Sequence, residues 1–182
     1  NNQVKLIKAT SYGIYAWDGT ASDSSNTWDE TTKPDIYTTL NETYYNTLGS
    51  EWQNLIAENT WQVGGFNYSD LGTAKETYDV EVGTGQSGYE ETMKIGLMYV
   101  SDYGYGASPE KWTTALYGNY GTDNWLYLGN LEWLISRSPD VADGAFVVDY
   151  SLGGAVYSSY VNHTFAVRPS FSLTSTATIS SG

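Results

Sequence analysis

The stretch of residues 125–173 constrains the fold more than any other part of this chain, because two apolar blocks flank a polar middle that carries several tyrosines. The first block contains WLYLGNLEWLI at residues 125–135, and the second is FAVRPSFSL at residues 165–173. The second block alternates apolar and polar side chains, which is typical of a half-buried β-strand. The region therefore predicts short strands and turns late in the chain.

Helices are predicted earlier. Asp35 is placed to cap a helix that runs to about Leu48 and carries apolar side chains at four-residue spacing, namely Ile36, Leu40, Tyr44 and Leu48. Gly49 ends this helix and Ser50 begins a second, shorter one. Ser108 and Pro109 form another helix-start signal.

Strands are predicted at residues 4–10, at 14–17, near Trp61 and Val63, at 77–82 and at 94–100, the last as a central strand. Helices early and a mainly antiparallel, twisted sheet late indicate an α+β fold. A chain of 182 residues with 40% hydrophobic content forms one well-buried core more readily than two. We therefore expect a single domain over residues 1–182.

Charge and cysteine content exclude several classes of function. The net charge of −13 repels nucleic-acid phosphates and anionic lipid headgroups. No apolar run is long enough to span a membrane. The lack of cysteine excludes disulfides, thiolate metal sites and a cysteine nucleophile. Abundant Tyr, Trp, Thr, Ser and Gly with few lysines favour an exported bacterial surface protein, located outside the cell.

Five segments together resemble one protein family. They are VKLIKATSYGIYAWD (4–18), LNETYYNTL (40–48), KIGLMYVSDYGYGAS (94–108), NWLYLGNLEWLISRS (124–138) and FAVRPSFSLTSTATI (165–179). In order and spacing they resemble exported domains of Gram-positive bacteria that often follow a prepilin-type membrane anchor. These domains in turn resemble proteins with the C-type-lectin-like fold that formylglycine-generating enzymes and phage or bacterial receptor-binding domains share.

The resemblance implies a C-type-lectin-like domain, and it covers nearly the whole chain. Family members typically close with Gly-Val-Arg-Pro, whereas this chain has Ala at position 166 before Val167, Arg168 and Pro169. The usual Trp-Thr-Leu-Ser segment is WLIS here, beginning at Trp133. Because formylglycine generation uses cysteines, a chain without cysteine does not perform it, and fold likeness alone assigns no activity.

The middle of the 125–173 region predicts the ligand-binding residues. These are Asp149, Tyr150, Tyr157, Tyr160 and His163, in a segment rich in Ser, Gly and Asn. Tyrosine supplies large amphipathic contact area at low entropic cost, and small polar residues supply adaptable hydrogen bonds. We expect the loops of residues 139–164 to form the binding face. The equally weighted alternative is that these tyrosines simply cover a small sheet.

Enzymatic and metal sites have weaker signals. Glu51, Glu90, Glu91 and Glu132 are possible carboxylate pairs for glycoside hydrolysis, but nothing in their spacing selects two of them. Oxygen ligands crowd residues 18–30, at Asp18, Asp23, Asn26, Asp29 and Glu30, without the spacing of an EF-hand. We expect a hydrogen-bonded loop there, with no metal, no cofactor and no catalytic residue in the chain.

Burial of the large side chains is also predicted. Trp133, Trp125 and Trp52 lie in apolar patterns and are expected in the core, while Arg168 is expected to pin neighbouring carbonyl groups. The sequence thus predicts a non-enzymatic adhesion domain at the cell surface that binds a glycan or a surface protein. The alternative is a structural subunit of a pilus-like filament that self-associates, and a glycan-cleaving enzyme is a third hypothesis.

Overall fold

The computed structural model describes residues 3–19, 25–83, 88–118 and 120–177. Within these residues the strands are β1 (Lys5–Ile7), β2 (Gly13–Ala16), β3 (Asn59–Gln62), β4 (Glu90–Met93), β5 (Glu132–Ser138), β6 (Gly144–Asp149), β7 (Ala155–Tyr160), β8 (Thr164–Val167) and β9 (Ser170–Ser172). The α-helices are Asp35–Thr38, Tyr45–Thr47, Ser50–Leu55, Ala74–Glu81 and Val100–Tyr105, with a π-helical stretch at Thr39–Tyr44. Single 3₁₀ turns occupy Tyr68–Asp70, Pro109–Lys111 and Tyr150–Leu152.

Five strands form the main sheet in the order β2, β8, β5, β6, β7. Neighbouring strands are antiparallel except β5 and β8, which are parallel and pair at Glu132 and Ala166. Two separate two-stranded sheets join β1 to β9 and β3 to β4. The chain therefore has an α+β architecture, and among the described residues no helix has the length and apolarity needed to cross a bilayer.

The two central strands, β5 and β6, are buried on both faces. Trp133 and Val147 pack into one apolar cluster, and Leu134 and Phe146 pack into a second. Side chains that alternate along a strand point to opposite faces, so the sheet separates the two clusters. This central position makes β5 and β6 a rigid support for the edge strand β7.

The predicted first helix is confirmed. The segments Asp35–Thr38, Thr39–Tyr44 and Tyr45–Thr47 follow one another without a break, and Ser50–Leu55 forms the predicted second helix. The prediction that Asp35 caps the first helix is wrong, because Pro34 occupies the cap position. The carboxylate of Asp35 instead accepts a hydrogen bond from the Gly19 N–H at 2.9 Å, which ties the preceding loop to the helix.

The strand predicted at residues 77–82 is wrong, since this segment belongs to the helix Ala74–Glu81. Thr73 precedes it and accepts a hydrogen bond from the Glu76 N–H, while the Glu76 carboxylate accepts one from the Thr73 N–H. This reciprocal capping box satisfies two N–H groups that a helix start leaves unpaired. The capping pair outweighs the β-branched residues that suggested a strand.

The central strand predicted at residues 94–100 is also wrong. The segment is buried, but only Gly96 makes a β-bridge, to Ser170. The side-chain oxygen of Asn41 accepts hydrogen bonds from the Lys94 and Ile95 N–H groups at 3.2 and 2.9 Å, and its amide donates to the Ile95 carbonyl. The Asn41 side chain thus bonds the backbone at the start of the segment, Gly96 and Met98 bond the backbone of Ser170 and Ile135, and Val100 then begins a helix.

Two of the three tryptophans expected in the core are on the surface. Trp133 is fully buried, as predicted, but Trp125 is 73% exposed and Trp52 is 48% exposed. Around Trp125 the buried positions belong to its neighbours Asn124 and Leu126. The apolar sequence pattern therefore predicted correctly that this turn has buried residues, but it wrongly predicted that Trp125 is one of them.

Candidate functional site

The structure separates the predicted ligand-binding residues into two groups. Tyr157, Tyr160 and His163 line one groove at the edge of the main sheet. Asp149 and Tyr150 lie at the opposite end of the β6–β7 pair, since Asp149 pairs with Ala155 whereas Tyr160 pairs with Gly144. Five residues of strand separate these ends by roughly 17 Å.

The first group forms what we call the tyrosine groove. Its wall consists of Tyr68, Asp140, Val141, Gly144, Tyr157, Ser158, Ser159, Tyr160 and His163, around a volume of about 410 Å³. Tyr157 is 48% exposed and Tyr160 is 56% exposed. Their rings therefore present substantial apolar surface to a ligand.

Tyr68 anchors the groove to the core. Its ring stacks on Phe146, with 6.2 Å between the ring centroids, and meets Tyr157 edge-on at 5.4 Å. Burial raises the pKa of the Tyr68 phenol above its usual value. The edge-on contact with Tyr68 orients the Tyr157 ring, although Tyr157 itself is exposed.

The imidazole and carboxylate of the groove are also held in place. The His163 ring lies between Tyr160 and Phe165, with centroid distances of 5.7 and 5.8 Å, and its Nδ1 is 3.1 Å from the Ser159 hydroxyl. Asp140 accepts a hydrogen bond from the Ser138 hydroxyl at 2.6 Å. These contacts fix the positions of the Asp140 carboxylate and the His163 ring.

The outer edge of β7 adds backbone groups to the groove. Val156 donates its N–H to the Leu116 carbonyl at 2.8 Å, on the side that faces away from β6. Because backbone groups alternate in direction along an antiparallel strand, the N–H and C=O of Ser158 point to this same outer side. Ser158 lines the groove and therefore offers one donor and one acceptor beside the Tyr157 ring.

Asp149 has a local structural role. Its carboxylate accepts hydrogen bonds from the N–H and the hydroxyl of Ser151, both at 2.7 Å, and so caps the turn Tyr150–Leu152. Tyr150 is exposed but belongs to this turn and does not line the groove. The expected binding face of loops over residues 139–164 also needs correction, because β6 is mostly buried strand within that range.

The candidate catalytic carboxylates do not meet in the groove. Glu132 is buried against Arg168, Glu91 pairs with Lys33 at 2.9 Å, and Asp140 is the single carboxylate among the groove's described lining residues. Glycoside hydrolysis ordinarily requires two carboxylates that flank the scissile bond. The described lining of the groove lacks such a pair.

Asn26 and Asp29 of the loop at residues 18–30 use their side chains for hydrogen bonds within the fold. The Asn26 amide donates to the carbonyls of Ser138, Val141 and Gly144 at 2.7–2.9 Å. Asp29 accepts hydrogen bonds from the Thr31 and Thr32 N–H groups, and Asp23 lies outside the described residues. Across the described ranges, no three His, Asp or Glu side chains are grouped to hold a metal ion.

No protein-family model, curated protein or solved structure matches this chain. The groove is therefore the feature of the chain that bears on its function. Sequence reasoning missed Tyr68, which lies far from Tyr157 along the chain. Asp140 falls inside the predicted binding face of residues 139–164 but was not singled out as a binding residue. Tyr68 follows the Gly64-Gly65 pair in a segment without a periodic pattern from which the groove could be predicted.

Proposed function

We propose that this chain is an extracellular, non-enzymatic recognition domain that binds a glycan in the tyrosine groove. The observation that supports it is the convergence of Tyr68, Tyr157 and Tyr160 with hydroxyl, imidazole and carboxylate groups around one concave surface. Aromatic rings can cover the C–H face of a sugar, while the surrounding polar groups bond its hydroxyls. The net charge of −13 favours a neutral or cationic saccharide over an anionic one.

Preorganisation strengthens this proposal. Tyr68 holds Tyr157, and the Ser159–His163 contact holds the far end of the groove. A site whose side chains are already ordered loses less conformational entropy when the ligand binds. Weak contacts to a single sugar ring are then enough for measurable affinity.

The finer fold and location are part of the same proposal. A C-type-lectin-like domain at the cell surface accords with early helices followed by a largely antiparallel sheet, and with the family resemblance of the five segments. The alternative role as a pilus-like filament subunit draws on a different observation, since β7 is the terminal strand of its sheet. An exposed strand edge can pair with another chain.

Two measurements on the isolated domain separate these roles. Screening against immobilised neutral, amino and acidic glycans should yield binding to neutral or amino saccharides. Sizing by light scattering across a hundredfold concentration range should yield a monomer. Concentration-dependent assembly without glycan binding would contradict recognition and support the filament role. Binding to proteins of the cell surface alone would contradict the glycan assignment.

A further inference from the structure

A second aromatic site lies around Trp125, and we call it the Trp125 cleft. Trp125 and Tyr105 line a cavity of about 230 Å³ together with Lys5, Asp102, Met98 and Ser170. None of these residues lines the tyrosine groove. The cleft is therefore a site of its own.

Trp125 is exposed on a turn that the fold fixes on both sides. Its N–H donates to the Gly106 carbonyl at 3.2 Å, and the buried Asn124 amide donates to the Tyr103 carbonyl at 2.8 Å. Asp123, just before this turn, has a φ of 62°, which is unusual for a residue other than glycine. An indole that is 73% exposed is thus held on a constrained backbone, as is common at binding sites.

The facing aromatic wall is also fixed. Tyr105 ends the helix Val100–Tyr105 and meets Trp112 edge-on, with 5.3 Å between ring centroids. The Trp112 Nε1 donates to the Ala107 carbonyl at 3.0 Å, so this supporting ring cannot turn freely. The cleft consequently has one aromatic side chain that a ring contact holds, Tyr105, and one that projects from a fixed backbone, Trp125.

Charged groups form the rim of the cleft. The Lys5 ammonium pairs with the Asp102 carboxylate and lies 5.0 and 4.7 Å from the ring centroids of Trp61 and Tyr99. Asp102 also accepts a hydrogen bond from the Tyr99 N–H at 2.9 Å. These contacts hold one donor group and one acceptor group beside the aromatic walls.

The floor is apolar with one hydroxyl. Met98 and Leu126 are buried and line the cavity. Ser170 also borders it, and the Ser170 hydroxyl is buried without a hydrogen-bond partner. A buried polar group without a partner is uncommon and costs free energy. A ligand with one polar atom in an otherwise apolar substituent would match this floor.

We propose that the Trp125 cleft binds a saccharide ring that carries an acetamido substituent. The ring packs against Trp125, and its hydroxyls bond Lys5 and Asp102 at the rim. The acetamido methyl lies against Met98 and Leu126, and the amide supplies the partner of the Ser170 hydroxyl. This site is independent of the tyrosine groove, and two sites on one domain would raise avidity for a polymeric glycan.

Titration with N-acetyl-D-glucosamine, observed by ¹H–¹⁵N NMR, tests this proposal on the whole chain. The Trp125 indole and the Lys5, Asp102 and Tyr105 amide signals should shift together, and D-glucose should bind about tenfold more weakly. Absence of shifts at Trp125 would overturn the site. Equal affinity for the two sugars would overturn the assignment of the acetamido group.

Variants distinguish this site from the tyrosine groove and from general damage. Trp125→Ala should weaken N-acetyl-D-glucosamine binding by about tenfold or more, whereas Trp52→Ala removes another exposed indole and should leave it unchanged. Tyr157→Ser with Tyr160→Ser should also leave it unchanged, so failure of the tyrosine groove does not decide this proposal. Unchanged binding by folded Trp125→Ala would overturn it.

The role of the floor has its own test. Ser170→Ala should fold, as thermal unfolding can verify, and should reduce the preference for N-acetyl-D-glucosamine over D-glucose. Ser170→Thr retains the hydroxyl and should keep more of the preference than Ser170→Ala. A folded Ser170→Ala protein with the full preference would contradict contact between the amide and this hydroxyl.

Discussion

Arg168 and Glu132 form an ion pair inside the domain, with 2.7 Å between Nε and Oε1 and 3% of each side chain exposed. A second guanidinium nitrogen of Arg168 donates to Glu132 Oε2 at 3.1 Å and also to the Leu126 carbonyl. The pair links the start of β5 to the chain between β8 and β9. It confirms the structural role predicted for Arg168.

At a pH of about 8.5, above the pKa of about 7 of Glu132 in the folded protein, Arg168→Ala should lower the free energy of unfolding by about 3–5 kcal/mol, because it leaves the buried Glu132 carboxylate without its partner. Urea unfolding monitored by circular dichroism measures this loss. The matched control is Lys75→Ala, since Lys75 pairs with Asp79 at 2.6 Å on an exposed helix face. Lys75→Ala should change the free energy of unfolding little. Equal losses of unfolding free energy in both variants would contradict the structural role of Arg168.

Trp133→Ala should destabilise the domain by about 3–5 kcal/mol, since it removes a buried indole from the core. The Trp133 Nε1 also donates to the Tyr15 carbonyl at 3.0 Å, and that acceptor would lose its partner. Trp125→Ala removes the same side chain from the surface and should leave the melting temperature nearly unchanged. Similar melting temperatures for the two variants would contradict their assigned burial.

Asn26→Ala should destabilise the turn that carries Asp140 to the tyrosine groove. The Asn26 amide bonds the carbonyls of Ser138, Val141 and Gly144 around that turn, so its loss leaves buried acceptors unpaired, at about 1–3 kcal/mol. Thermal unfolding measures the effect, and exposed Asn46→Ala is the control. Equal melting temperatures for Asn26→Ala and Asn46→Ala would show that the Asn26 hydrogen bonds contribute nothing to stability.

The stability of the domain should rise as the pH falls from about 8 to about 5.5. Burial raises the pKa of Glu132 to about 7, against the opposing effect of Arg168, and burial also raises the pKa of Glu81. A carboxyl whose pKa is higher in the folded state binds the extra proton there. Its contribution to stability is complete below the unfolded pKa and is lost as the pH rises through the folded value.

Melting temperatures at the two pH values should differ by roughly 5 °C, with the higher value at the lower pH. Asp29 and Glu76 have lowered pKa values and act in the opposite direction, but only as the pH falls below this window. Adding salt near 0.5 M screens repulsion among exposed carboxylates and affects buried groups less. A difference that salt abolishes would assign the effect to net charge.

Local patterns predicted elements whose partners are close in sequence. The apolar spacing from Ile36 to Tyr44 specifies a helix face without help from the rest of the chain. The segment at residues 94–100 could not be assigned in this way, because the side chain that pairs with its backbone is Asn41, more than fifty residues earlier. Its apolar character predicted burial correctly and secondary structure incorrectly.

The candidate site was predictable only in part for the same reason. Tyr157, Tyr160 and His163 are close in sequence, and the structure brings them together. Tyr150 and Asp149 are equally close, but the register of β6 with β7 places them at the other end of the pair. Tyr68 lines the groove because its ring contacts Phe146 and Tyr157. Both residues are distant from Tyr68 in sequence, so the spacing of apolar residues could not predict these contacts.

Glycan affinity of two tyrosine variants tests the proposed function most directly. Tyr157→Ser combined with Tyr160→Ser removes two rings from the groove, whereas Tyr150→Ser removes an equally exposed ring that lies outside it. All proteins carry Trp125→Ala, and the ligand is a glycan identified by the screen of immobilised glycans. Calorimetry should show that the double variant binds this glycan with an affinity lower by roughly tenfold or more. Tyr150→Ser should bind normally. Equal binding by all three folded proteins would contradict glycan recognition at the tyrosine groove.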